Sequence, residues 1–224
     1  MLNYEVEPAL LRALVPAGTE PDSFEGRTFV SLVGFRFVHT RVLGMVLPFH
    51  ENFDEVNLRF YVRREVAGEV RRGVVFVKEI VPRRAIALVA RWVFNENYIA
   101  LPMSHSIGDS AVEYGWLHRK QPFSLRVEFE GQPALPAAGS IEQFITEHYW
   151  GYAAQRDGGS MEYQVAHEPW RVWTARSESF TGNASNLYGS DFAAALRSEP
   201  HSALLAEGSP ITVHRGKRIL TSDF

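Results

Sequence analysis

Between Asp54 and Arg63 the chain alternates with a period of two. Val56, Leu58, Phe60 and Val62 fall on one side, and Asn57, Arg59, Tyr61 and Arg63 on the other. That period belongs to a strand, so the stretch predicts one with a wholly apolar face. An ordinary half-exposed strand carries Lys, Glu and Thr outward, whereas this one carries an amide, two guanidiniums and a phenol. These groups fix small anionic or polar ligands, which makes Asn57, Arg59 and Tyr61 candidate ligand-binding residues.

The same reading extends along the chain. Leu10, Leu11 and Leu14 at helical spacing predict a short amphipathic helix over 7–15, stopped by Pro16, which lacks a backbone donor. Thr28 to Phe35 reads as a strand, with Gly34 permitting a bulge or a close approach before the strand continues to Val42. The strand over 55–63 joins one over 73–80 through a polar loop containing Gly68, an antiparallel hairpin pattern ended by Pro82.

Ala85 to Phe94 is a nearly continuous apolar run that reads as a buried strand. Arg91 inside it needs an internal carboxylate or a ligand cavity, because an unpaired buried guanidinium costs several kcal/mol. Phe123 to Phe129 alternates as another strand. Ser140-Ile141-Glu142-Gln143 forms a capping box that opens a helix over 141–150. Short strands at 161–167, 171–175 and 211–214 and a small helix at 191–196 follow. Many short strands with few helices predict an α+β, mainly β protein built on a curved antiparallel sheet or barrel. No repeat or low-complexity linker interrupts the 224 residues, so one domain over 1–224 is expected.

Composition removes several function classes. A net charge of −3 argues against nucleic-acid binding, and the Arg-Arg pairs 63-64, 71-72 and 83-84 read as solvated strand-edge devices. The chain has no cysteine, which excludes disulfides, thiolate catalysis and cysteine-ligated metals. The acidic N-terminal segment does not resemble a signal peptide, and no apolar stretch reaches the length of a membrane helix. A cytoplasmic protein that meets neither nucleic acid nor membrane is the expectation, with a homo-oligomer compatible with the composition.

No cofactor is expected. The eight histidines never fall three or four residues apart on a helix face, and no metal site is predicted. No G-x-S-x-G elbow occurs. Among 20 arginines stand only three lysines, Lys78, Lys120 and Lys217, so an imine mechanism has three possible nucleophiles. Trp170 and Trp173, flanking Arg171, read either as core anchors or as a pocket mouth stacked on the guanidinium.

Phe24-Glu25-Gly26-Arg27-Thr28-Phe29-Val30-Ser31, Asn57 to Val62, Gly73-Val74-Val75-Phe76, Ile141 to Tyr149 and His167-Glu168-Pro169-Trp170 occur in that order. As an ordered set over residues 8–220, they resemble the uncharacterised bacterial family DUF2071, or YqjF-like. That family is similar in fold to acetoacetate decarboxylase, which implies a cone-like β-barrel enclosing a ligand cavity. The decarboxylase uses a lysine that forms a Schiff base beside a second lysine. The counterpart segment here, Asn95-Glu96-Asn97-Tyr98-Ile99-Ala100, holds no lysine. Lys78 has Glu79 beside it, which would raise its pKa rather than lower it. Imine decarboxylation at that position is therefore not expected.

Two readings stand from the sequence. In one, Arg59 with Arg41 or Arg91 grips a carboxylate while Asn57 and Tyr61 orient the rest of the ligand. Tyr61, Tyr98, Glu96 or His105 would then serve as proton carrier, His105 because it follows the segment that faces the barrel in the resembled fold. In the other, the internal polar residues satisfy one another, Arg59 meeting Glu55 or Glu96, and the protein is a structural or interaction module. Free donors on Arg59 and Arg91 would separate the two.

Overall fold

The computed structural model describes residues 1–39, 41–42, 45–46, 52–83 and 97–220, with the backbone alone at 41–42 and 45–46. The strands in chain order are β1 (Leu2–Val6), β2 (Glu20–Pro21), β3 (Thr28–Phe37), β4 (Arg41–Val42), β5 (Met45–Val46), β6 (Phe53–Val66) and β7 (Glu69–Val81). They continue with β8 (Tyr98–Ala100), β9 (Met103–Ile107), β10 (Ala111–His118), β11 (Gln121–Glu128), β12 (Trp150–Ala154) and β13 (Ser160–Ala166). The last are β14 (Val172–Thr174), β15 (Ser177–Thr181), β16 (Ser202–Ala206), β17 (Thr212–Val213) and β18 (Lys217–Ile219). Short helices cover Pro8–Leu11, Ile141–Thr146, Ser185–Tyr188 and Ser190–Leu196.

A 12-stranded sheet runs β14-β16-β1-β3-β6-β7-β12-β13-β17, with β2, β8 and β18 joined at its sides, and a second sheet runs β15-β11-β10-β9. The centre is the hairpin of β6 and β7, whose two-residue loop, Ala67 and Gly68, has φ of 51° and 82°. Such a turn matches the twist of the paired strands and favours glycine. Pairing shifts by one residue between Leu58 and Arg59, leaving Val77 as the extra residue of β7. The bulge keeps the alternation of β6 intact.

β6 is buried on both sides. Val56, Leu58, Phe60 and Val62 join the larger core with Leu2, Tyr4, Val30 and Leu32, against Tyr114, Trp116, Phe123 and Leu125 of the second sheet. Tyr61 joins a smaller core with Phe29, Val74, Phe144 and Ile145 on the opposite face. Gly34 marks a close approach of the two sheets, since a Cβ there would stand 2.6 Å from Tyr114 Cδ2. Pairing through Val33, Gly34 and Phe35 is unshifted, so of the two roles expected for Gly34 the close approach holds and the bulge does not.

Four expectations need correction. Among the described residues neither sheet closes into a barrel, and the large sheet is mixed, because β8 and β12 both pair parallel to β7. Strand β3 ends at Phe37 and does not run on to Val42. The helix from Ile141 stops at Thr146, because Trp150 to Ala154 are claimed by ladders with β7 and β13. At its start Ser140 Oγ accepts the Gln143 amide at 3.2 Å, while Gln143 reaches back to the Gly139 amide rather than to that of Ser140.

The arginine pairs are not all solvated either. Arg64 and Arg71 both hold Glu162, 3% exposed, at 3.1 and 2.7 Å, and Arg72 holds Asp22, 4% exposed, at 2.7 Å. Only Arg63, exposed and paired with Glu20, behaves as a solvated edge residue among these four. The Ala85 to Phe94 run lies outside the described residues. No helix among the described residues is long and apolar enough to cross a membrane.

Candidate functional site

Cross-strand neighbours project from the same face of a sheet, so register alone assembles the site. Ser202 lies opposite Asn3, Asn3 opposite Ser31, and Ser31 opposite Arg59. One row along, Asn57 lies opposite Glu79, which is beside Tyr98. Asn57, Arg59 and Tyr61 thus share a face with Glu55, Glu79, Tyr98, Ser31 and Asn3. The helix over 141–146 packs on that face, with Phe144 5.3 Å from Tyr61, ring centre to ring centre.

Tyr61 is engaged. Its hydroxyl is 2.6 Å from Ser31 Oγ, which donates to Asn3 Oδ1 at 2.7 Å, and Asn3 donates in turn to Ser202 Oγ at 3.0 Å. Because the Ser31 proton goes to Asn3, Tyr61 is the donor to Ser31. Asn57 donates to Glu55 at 3.0 Å, and the Tyr98 hydroxyl approaches the other Glu55 oxygen at 3.5 Å. Asn57 Oδ1 is buried with no partner among the described residues. Glu55 and Glu79, 2% and 1% exposed, bring two further carboxyl groups to this end of the face.

Arg59 is different. A guanidinium offers five donors, yet the hydrogen bond found for it among the described residues is a long one, 3.4 Å to the carbonyl of Ile145 in the last turn of the helix. Its Nε is buried without a partner. Among the described residues no carboxylate comes within ion-pair distance of it, so the Arg59–Glu55 bridge of the closed reading is not formed. Its carbon Cζ lies 5.7 Å from the Tyr61 ring centre, within cation–π range. The charge is felt nearby: burial, and then Arg59, hold the Met1 amino group down to about 5.

Also packed on Tyr61 is His148, its ring 4.6 Å from the phenol ring and 5.0 Å from that of Phe144. Asp22 Oδ2 is 3.3 Å from His148 Nε2 and 2.7 Å from Arg72 Nε, and Asp22 Oδ1 accepts the Ser23 amide at 2.9 Å. Burial pushes the Asp22 carboxyl up, but its bonds with His148 and Arg72 outweigh that and hold it at about 2. Burial drives His148 down to about 4, against the opposing bond from Asp22 and with help from the charges of Arg72 and Arg59. His148 is therefore a neutral imidazole at pH 7, and its Nδ1 is buried without a partner among the described residues.

The candidates from sequence divide accordingly. Asn57, Arg59 and Tyr61 are brought together, and Tyr98 joins them through Glu55. Arg91, Glu96 and the side chain of Arg41 lie outside the described residues. His105 stands on the opposite face. It bonds Asp54 at 2.9 Å, with Arg36 at 3.4 Å from its other nitrogen, and alternation puts Asp54 with Val56 and Leu58.

Among the described residues no cation–π contact joins Arg171 to Trp170 or Trp173; the indoles bond Ser209 and the Gly131 carbonyl, and Arg171 bonds the Pro133 carbonyl. Lys78 lies opposite Leu58 on the larger-core face, away from Arg59. Sequence reasoning left Glu55, Asp22 and His148 out of the site. Glu55 was within reach, two residues before Asn57 and hence on its face. Nothing in spacing singles out Asp22 or His148, which meet across 126 residues. No three acidic or histidine side chains group as metal ligands among the described residues.

Residues 1–210 match the model of DUF2071, described as an uncharacterised conserved protein. The uncharacterised protein YqjF of Bacillus subtilis strain 168 is 25% identical over 192 residues, 84% of this chain and 77% of the relative. Among solved structures, acetoacetate decarboxylase from Legionella pneumophila superposes with a TM-score of 0.65 at 12% identity, covering 98% of this chain and 83% of that one. The enduracididine biosynthesis enzyme MppR complexed with pyruvate gives 0.63 at 14%, covering 97% and 86%. An acetoacetate decarboxylase-like enzyme from Sphingomonas wittichii RW1 gives 0.56 at 15%, covering 97% and 86%. At these identities the structures share a fold with this chain, and nothing about activity follows from that.

Proposed function

Since the chain belongs to the DUF2071 family and has the fold of acetoacetate decarboxylase-like proteins, we propose that it binds a small carboxylate on the face of the large sheet that carries Arg59. The supporting observation is the guanidinium itself, half-buried, which among the described residues has a partnerless Nε and one long bond to a carbonyl. Buried donors are normally satisfied, and leaving one unmade costs about 1–3 kcal/mol, more for a charged group. A carboxylate meets a guanidinium in a bidentate pair and removes that cost. MppR, of the same fold, has been seen with pyruvate, a carboxylate of the size proposed.

The roles divide around that anchor. Asn57, with a partnerless Oδ1, orients the ligand. Tyr61, whose proton is committed to Ser31, braces Arg59 and does not reach the ligand. A lysine imine has no part in the proposal: Lys78 lies on the other face, Lys120 is exposed at the turn between β10 and β11, and Lys217 is exposed on β18.

The test is a thermal-shift panel of small carboxylates against matched amides and alcohols. A ligand at 100 times its dissociation constant adds about 2.7 kcal/mol, a rise of roughly 5–10 °C for a chain of this size. The expected result is a rise confined to carboxylates and lost in Arg59→Ala, with circular dichroism showing that variant folded. A folded Arg59→Ala protein that binds as tightly as the parent, or silence across the panel, would remove the proposal in favour of a closed polar core.

A further inference from the structure

Asp22 and His148 form a buried pair whose imidazole packs on Tyr61, as Arg59 also does, and one atom of the pair is unexplained. Asp22 receives bonds from the Ser23 amide and from Arg72 Nε, and its second oxygen also faces His148 Nε2. A carboxylate so surrounded only accepts, so the proton shared with His148 sits on Nε2. In a neutral imidazole the other nitrogen then presents a bare lone pair. That nitrogen, Nδ1, belongs to a side chain 1% exposed and has no partner among the described residues. Turning the ring to use it elsewhere would give up Asp22, and the rings of Tyr61 and Phe144 pack against it with centres 4.6 and 5.0 Å away.

Two buried polar atoms without partners among the described residues, an Arg59 donor and a His148 acceptor, therefore belong to side chains that both pack on the Tyr61 ring. Resting on the carboxylate reading of Arg59, we infer that His148 Nδ1 accepts a hydrogen bond from a hydroxyl on the same ligand, which makes the ligand class a small hydroxy acid. An acceptor nitrogen rejects a keto oxygen, itself an acceptor, and requires O–H or N–H. An ammonium in that place meets the charges of Arg59 and Arg72, whereas a hydroxyl meets no such penalty. Asp22 and Arg72 are positioning residues, since they set the tautomer and do not touch the ligand.

The experiment uses the full chain and matched probes: lactate against propionate, and each enantiomer of 3-hydroxybutyrate against butyrate, measured by titration calorimetry at pH 7. A site that pairs a hydroxyl rejects the analogue lacking it, so one hydroxy acid binds tenfold or more tightly than its deoxy partner. His148→Phe erases that preference while deoxy-acid binding persists, and Arg59→Ala loses both. Equal binding of hydroxy and deoxy acids overturns the inference and leaves the carboxylate reading in place, whereas binding of neither overturns both.

A second readout serves if His148→Phe does not fold. In protein labelled with nitrogen-15 at histidine, His148 is expected as the Nε2–H tautomer at pH 7, with Nδ1 shifting when the preferred hydroxy acid is added. An Nδ1–H tautomer, or an Nδ1 that ignores the ligand, refutes the assignment.

Discussion

His148 should make the fold lose stability in mild acid, and the amount follows from its surroundings. Burial, with the charges of Arg72 and Arg59, outweighs the bond to Asp22 and holds the folded imidazole down to about 4, against about 6.5 in an unfolded chain. A base with a depressed folded value contributes full stability above the unfolded value. That stability is lost as pH falls from 6.5 towards 4, because only the unfolded state takes up the proton. The slope in that window is about 1.4 kcal/mol per pH unit and the total about 3 kcal/mol. That is a large part of the 5–15 kcal/mol typical of a folded domain.

Two other groups bracket this window. The Met1 amino group, lowered from 8.0 to about 5, loses stability in the same direction between those values. Asp22, held at about 2, adds stability above the ordinary carboxylate range that is lost only below it. The variant His148→Gln isolates the imidazole, since its amide can still donate to Asp22 but does not titrate. Urea unfolding of both proteins at pH 7.5, 6.5, 5.5 and 4.5, at constant ionic strength, measures the difference. The stability gap between them should narrow by roughly 2–3 kcal/mol from pH 7.5 to 4.5. Parallel curves would show that His148 titrates folded as it does unfolded, and a gap that widens as pH falls would show it charged in the folded protein; either would refute the burial argument.

Three further outcomes follow from packing and bonding. Glu162→Gln strips the buried charge that Arg64, Arg71 and the Tyr152 hydroxyl share. It should cost about 3–5 kcal/mol, read as a fall in Tm of roughly 6 °C or more; a fall under 2 °C would mean the cluster is solvated. Tyr61→Phe leaves Ser31 without its donor and should cost about 1–2 kcal/mol in urea unfolding, while an unchanged midpoint would break the hydrogen-bond chain through Asn3. Gly34→Ala drives a methyl against the Tyr114 ring and should cost about 1–3 kcal/mol, recovered in part by Tyr114→Leu; a neutral Gly34→Ala would mean the sheets can part.

What the sequence disclosed was local. Alternation in β6 carries its own proof, because every second residue obeys it, and the hairpin to β7 is written in Ala67-Gly68. The strands not anticipated, such as β1 and β16, are held by distant partners. Leu2 pairs with Leu32 and with Ala203, so nothing within five residues of either strand declares it. Trp150 to Ala154 reads as the end of a helix until β13 and β7 claim it as a strand. The barrel was expected both from the many short strands and from a family likeness, whereas the ladders among the described residues stay open.

The site divides along the same line, between what one strand fixes and what the sheet fixes. Asn57, Arg59 and Tyr61 share a face by the geometry of one strand, so their grouping was legible. Whether they are satisfied was not, because satisfaction depends on partners across the sheet. Tyr61 is spent on Ser31, 30 residues away in the chain, and the hydrogen bond of Arg59 among the described residues goes to the Ile145 carbonyl. His105 shows the same rule from the other side: the alternation that gathers Asn57 and Arg59 gives its partner Asp54 to the opposite face. A sequence pattern thus nominates polar residues, and the partners brought by tertiary pairing decide which of them still has capacity for a ligand. On this face Arg59 and Asn57 each keep a buried atom without a partner among the described residues, and the His148 Nδ1 is a third.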